Sequence, residues 1–148
     1  MQKELLEYIR KNRREYQKTI LESIGFEVYE CERYNINISI SLAIVDTQSS
    51  VYLEEFTKTL RGTDKFITLD DHIYCVLFPF TDTAQGVKAV SNLLNEFEMR
   101  NFSEKIYLGV VNLEDCQIPE REIGRLFDIL EYAIENGMNN IPLNTTNF

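Results

Sequence analysis

The chain has 148 residues, 44% of them apolar and 26% charged, a composition that fits one globular domain and not a disordered segment. Its 24 acids against 15 bases leave a net charge of −9, which disfavours DNA or RNA as a partner because nucleic acid needs a basic face. No apolar run approaches the roughly 18 residues that cross a bilayer, and the N-terminus lacks the apolar core of a secretion signal. The expectation is therefore a cytoplasmic chain with no membrane insertion.

Residues 1–34 read as a helical segment, one helix or two joined near Gly25, ahead of a domain over 35–148. Leu6, Ile9, Arg13, Tyr16 and Ile20 recur at a 3-4-3-4 spacing. That spacing marks either a dimerising seam or a face packed on the chain's own domain. Arg10, Lys11, Arg13, Arg14 and Lys18 form the one basic cluster, interspersed with acids, and read as a solvated face. Next, INISISLAIVD alternates Ile36, Ile38, Ile40, Leu42 and Ile44 with small or polar residues, the period of a strand, and ends at Asp46. VYLEEFTKTLR places Leu53, Phe56 and Leu60 on one helical face.

KFITL and HIYCVLF read as a hairpin joined at Asp70-Asp71, with Tyr74, Phe78 and Phe80 as a core stripe. Residues 83–100, carrying Val87, Val90, Leu94 and Phe97, read as an amphipathic helix, and IYLGVVNL from Ile106 as a strand. Pro119 suits the first turn of a helix whose stripe is Ile123, Leu126, Phe127, Leu130 and Ile134, with Gly137 placed to cap it. NNIPL adds a short edge strand. The order is a helix, then β-α-β-β-α-β, then a helix. It predicts an α+β, ferredoxin-like or palm-type antiparallel sheet with helices on one face and an added N-terminal helix.

Cys31, Cys75 and Cys116 are widely spaced with no CxxC, so reduced and mostly buried thiols are expected. His72 and Cys75 would point to opposite faces of a strand, which disfavours zinc. The tip Leu69-Asp70-Asp71-His72-Ile73 holds two carboxylates and the single histidine. Three readings stand: a Mg²⁺ or Ca²⁺ site formed by Asp46, Asp70 and Asp71, an acid/base pair of Asp71 and His72, or a turn that favours aspartate through its own backbone hydrogen bonding. The acid/base reading has no accompanying nucleophile or phosphate cradle.

"SLAIVD", "LRGTDKFITLDDHIYCVLFP" and "LEYAIENGMNN", in this order and spacing, resemble the GGDEF family over residues 36–141. GGDEF domains are palm-like cyclases that join two GTP molecules into cyclic di-GMP. With Pro79 as anchor, the family's signature Gly-Gly-Asp/Glu-Glu-Phe falls on Asp70, Asp71, His72, Ile73 and Tyr74, where only the final aromatic character survives. Signature glycines let the backbone approach GTP phosphates. Aspartates add bulk and charge there, at about 3 kcal/mol per pair for a separation of about 5 Å and an effective dielectric of about 20. The magnesium-binding acid becomes His72, a poor ligand for a hard cation. The phosphate-holding cations of the family's last helix fall on Ile134 and Met138, and its guanine-reading segment after strand one is shortened to Thr47-Gln48-Ser49-Ser50. Asp46 alone persists, so the resemblance implies a degenerate, non-catalytic domain and not an active diguanylate cyclase.

Arg61-Gly62-Thr63-Asp64 is similar to the family's Arg-x-x-Asp inhibitory motif, which binds cyclic di-GMP. A guanidinium forks onto phosphate or a guanine edge while a carboxylate accepts from guanine. The competing reading is a structural pair at a helix end. The family's supporting arginine falls near Asn92, with Lys65 and Lys88 as possible substitutes. The resemblance thus implies cyclic di-GMP as a candidate ligand. A protein partner or homodimer is the alternative, served by the N-terminal seam, Tyr8, Tyr16 and the acidic surface.

Overall fold

A computed structural model of the chain describes residues 2–46, 60–100, 104–113 and 118–145. The helix expected from VYLEEFTKTLR, the shortened segment before it and Cys116 lie outside the described residues, apart from Leu60 and Arg61. Helices α1 (Gln2–Ser23) and α2 (Gly25–Tyr34) precede strand β1 (Ile38–Asp46), and β2 (Lys65–Asp70) and β3 (Ile73–Pro79) form the hairpin. Then come α3 (Thr83–Arg100), β4 (Lys105–Leu113), α4 (Pro119–Glu135) and the two-residue β5 (Pro142–Leu143).

The strands form one sheet in the order β2-β3-β1-β4-β5, antiparallel except where the short β5 runs parallel to β4. The expected edge strand therefore exists but makes the sheet mixed. β1 occupies the centre, with Leu42 opposite Cys75 on one side and Gly109 on the other.

Helices cover both faces, where the β-α-β-β-α-β pattern predicts one. Ala43, Val45, Tyr74, Val76, Phe78, Ile106 and Val110 pack with Val90, Leu94 and Phe97 of α3. On the opposite face, Ile40, Leu42, Ile44, Cys75 and Tyr107 pack with Ile9, Ile20 and Ile24 of the N-terminal region and with Leu126, Phe127 and Leu130 of α4. The serines of β1, polar by alternation, are consequently buried, Ser39 at 0% and Ser41 at 1% exposure. Small side chains suit that position because α3 approaches closely. A Cβ added at Gly86 would lie 2.6 Å from the Ser39 Cβ and nearer still to its Oγ.

The seam of α1 faces its own chain. Ile9 and Ile20 are 0% and Tyr16 7% exposed, with Leu6 and Arg13 half-buried, and fully burying an isoleucine side chain contributes about 1.5–3 kcal/mol. Arg13 donates to Glu131 and to the Gly124 carbonyl (2.8 Å), pairs with Asp128 at 2.8 Å, and lies over the Phe127 ring. Arg10 pairs with Glu131 at 2.7 Å. Part of the basic cluster thus joins α1 to α4.

Local sequence fixes the helix ends. Asp82 and Gln85 exchange reciprocal side chain–backbone bonds of 3.0 and 2.8 Å at the start of α3, a capping box. Gly137 adopts φ 64° after α4. Its N–H bonds to the Ile134 carbonyl and that of Met138 to the Ala133 carbonyl, the paired bonds of a Schellman cap.

Candidate functional site

The hairpin tip is built one residue further on than expected. β2 runs through Asp70, the turn is Asp71-His72, and Asp70 pairs with Ile73 across a register shift after Thr68. Neither turn residue has positive φ, so the bulge takes up the twist that a primed turn would otherwise provide. Asp70 Oδ1 accepts the Asp71 N–H at 2.6 Å, which is the aspartate-turn chemistry expected of this sequence.

The other Asp70 oxygen faces α1. Tyr16 donates to Oδ2 at 3.0 Å, Tyr8 donates to the same atom, and the two hydroxyls lie 2.9 Å apart. Burial and then the neighbouring Glu15 charge raise the Tyr16 pKa above its ordinary value, keeping it a protonated donor. The sequence places Tyr16 on a face that either dimerises or packs on its own domain and assigns Tyr8 to an interaction surface, and in neither case does it point to Asp70. Their eight-residue separation, which repeats on one helical face, was the available signal.

A cavity of about 300 Å³ lies beside this latch, lined by Leu5, Tyr8, Ile44, Val45, Asp46, Asp70, Asp71, His72 and Ile73. The fold therefore brings Asp46 to the hairpin tip, as the sequence implied. The donor set fits magnesium poorly. Asp70 is engaged on both oxygens, Ile73 is 0% exposed, and His72 supplies a nitrogen where an oxygen is preferred. Among the described residues, no three His, Cys, Asp or Glu side chains are grouped to hold a metal ion. Ile134, at the carried-over phosphate position, is 0% exposed in the core.

Arg61 and Asp64 meet at the other end of β3. The guanidinium forks onto Asp64 Oδ1 through Nε (3.1 Å) and Nη2 (2.9 Å), and Oδ2 accepts the Arg61 N–H at 2.7 Å. Nη2 also donates to the Pro79 carbonyl (2.9 Å) and Thr81 Oγ1 (3.0 Å). The Asp64 side chain is only 3% exposed while that of Arg61 is 54% exposed. Asp64 is thus spent on holding Arg61, and Arg61 faces outward.

It faces an open groove of about 270 Å³, lined by Arg61, Phe80, Thr81, Gln85, Lys88, Ala89 and Asn92. Gln85, Lys88 and Asn92 come from one side of α3, as their three- and four-residue spacing requires. Lys88 is exposed and makes no ion pair among the described residues. Lys65 is elsewhere, bonded to the Ser23 carbonyl and Glu27. Phe80 departs from the expected core stripe. Tyr74 and Phe78 are 1% and 2% exposed, but Phe80 is 63% exposed at φ 58°, which turns it out of the strand's alternation.

No family sequence model and no curated protein matches the chain, so similarity is carried by the backbone. The GGDEF domain of DgcB from Caulobacter crescentus, solved in complex with c-di-GMP, matches with a TM-score of 0.66 at 11% identity over 86% of this chain and 89% of that one. The FimX GGDEF domain from Pseudomonas aeruginosa matches with a TM-score of 0.68 at 11% identity, over 87% and 93%. The diguanylate cyclase SiaD from the same organism, solved with its activator SiaC, matches with a TM-score of 0.65 at 11% identity, over 87% and 58%. The chain carries the palm-like α+β fold of the GGDEF domains of diguanylate cyclases.

Proposed function

We propose that this chain is a non-catalytic signalling domain on the GGDEF fold, and that it binds cyclic di-GMP in the groove headed by Arg61. The observation that carries the reading is the contrast between the two ends of β3. At one end two carboxylates stand at the hairpin tip, and Asp70 is held by Tyr8 and Tyr16. A triphosphate would meet net negative charge there, with no clustered metal ligands among the described residues to offset it. At the other end Arg61 and Lys88 line an open groove, which is suited to a phosphodiester. The DgcB domain's complex with c-di-GMP supports the ligand class.

Calorimetry on the purified chain tests this. Saturable binding of cyclic di-GMP, weakened at least tenfold in Lys88→Ala, is expected; absence of heat at high micromolar ligand overturns it. Incubation with GTP and Mg²⁺ is expected to yield no cyclic dinucleotide, and turnover abolished by Asp46→Ala would overturn the non-catalytic assignment.

A second reading, a protein-interaction or dimerisation module without nucleotide, is favoured by α2, where Phe26, Tyr29 and Tyr34 are 68%, 53% and 62% exposed. The activator complex of SiaD supports a protein partner as a class. Silent calorimetry together with a concentration-dependent mass in light scattering would favour this reading.

A further inference from the structure

Among the described non-glycine residues, three have positive φ: Asn35, Phe80 and Asn140. Asparagine tolerates the left-handed region, whereas a bulky side chain there is an outlier. Asn35 and Asn140 therefore suit their backbone, and Phe80 does not.

The surrounding bonds impose its conformation. The Pro79 carbonyl accepts from Arg61 Nη2 and from Thr81 Oγ1, both at 2.9 Å. The Thr81 N–H bonds to the Asn37 carbonyl at 3.1 Å, and Thr81 itself is 3% exposed. Phe80 is thus held between two fixed neighbours, and its side chain contributes little burial in return. Strain of this kind points toward function when the strained side chain lines a site. Phe80 does so, beside Arg61 and Lys88.

Resting on the proposed function, we propose that Phe80 is a stacking platform for a nucleobase, and that Lys88 with the outward Arg61 guanidinium holds the attached phosphate. The groove then takes one base-plus-phosphate unit of the cyclic dinucleotide, with the Asn92 amide and the NH2 of Gln85, whose oxygen is held by the Asp82 N–H, within the same lining to meet the base edge. A volume of about 270 Å³ lies just below the range of ligand pockets, about 300–1,000 Å³, which fits one such unit better than the whole molecule. Bases stack on aromatic side chains regardless of sequence, and losing such a platform weakens binding by about tenfold or more.

The chain contains no tryptophan, so Phe80→Trp introduces a single fluorophore at the groove. Quenching of its emission by cyclic di-GMP, and not by inorganic phosphate, is expected, with an affinity within about threefold of the parent chain. Phe80→Gly and Phe80→Leu are expected to weaken cyclic di-GMP binding about tenfold or more by calorimetry. Phe80→Gly, which suits positive φ, is also expected to keep or raise the melting temperature. If the parent chain binds cyclic di-GMP while Phe80→Gly binds equally well, or the Phe80→Trp emission does not respond, the stacking role is overturned and the proposed function stands. A lower melting temperature for Phe80→Gly assigns Phe80 a structural role and overturns the inference. If the parent chain binds no cyclic di-GMP, both fall together.

Discussion

The Tyr16 hydroxyl donates a 3.0 Å hydrogen bond to Asp70 Oδ2, so the first helix of the chain holds the tip of the β2–β3 hairpin. Asp70 sits where the GGDEF signature begins by alignment on Pro79, and Tyr8 reaches the same oxygen from one side. A carboxylate that accepts two phenolic donors and its neighbour's N–H has its acceptor capacity largely filled. The helix that precedes β1 in sequence is therefore fastened to the hairpin tip.

Removing the Tyr16 hydroxyl measures that contact. Tyr16→Phe is expected to cost about 1.5–3 kcal/mol, the range for a hydrogen bond to a charged group, with little loss of packing. Because Tyr8 and Tyr16 share one acceptor and contact one another, Tyr16→Phe combined with Tyr8→Phe should depart from additivity by about 0.5 kcal/mol or more. Urea unfolding of the four proteins is the measurement. Strict additivity would mean that the tyrosines act independently and that the latch is absent.

Ile20→Ala separates self-packing from dimerisation by α1. Ile20 is 0% exposed within one chain, so truncation should cost about 2–5 kcal/mol. The melting temperature of both proteins should not change with concentration, as mass action would require of a seam between copies. A midpoint that climbs with protein concentration would place the 3-4-3-4 face between chains instead.

Much of the fold was legible because its periodicities are strong. β1, α3, β4 and α4 begin and end within about two residues of expectation, and the Pro119 and Gly137 signals operate as read. The second helical layer was less legible. Ser39 and Ser41 mimic a solvent face, and their burial depends on Gly86 and α3, which are distant in sequence. The candidate site was legible in its parts, since Arg61 and Asp64 do meet and Asp46 does reach the hairpin tip. The orientation of Phe80 was not. Strand alternation places it beneath α3, and only the bonds around Pro79 and Thr81 turn it out.

Asp64→Asn tests whether that carboxylate reads a ligand or holds Arg61. The structural role predicts a loss of about 1–2 kcal/mol, toward the lower part of the range for bonds to charged groups because Arg61 is half exposed. Binding should weaken only as far as Arg61 loses its position. A variant of unchanged stability that no longer binds cyclic di-GMP would instead make Asp64 a direct contact. Thermal melts read alongside calorimetry resolve the two.

Alkaline pH should destabilise the domain from its centre. Cys75 is 0% exposed on β3, and burial pushes its thiol from 9.0 up to about 12. Burial also raises Tyr74, on the opposite face of the same strand. In each case the unfolded chain releases its proton before the native chain does. The native state then binds more protons above about pH 9, and stability falls as pH rises from there toward 12. Each group adds a slope approaching about 1.4 kcal/mol per pH unit once past its unfolded pKa. Cys75→Ala removes one of these groups. It should lower stability at pH 7 through the small cavity it leaves, yet lose less between pH 9 and 10.5 than the parent chain does. Denaturant midpoints at several alkaline pH values give the two slopes, and parallel slopes would mean that the thiol titrates alike in both states.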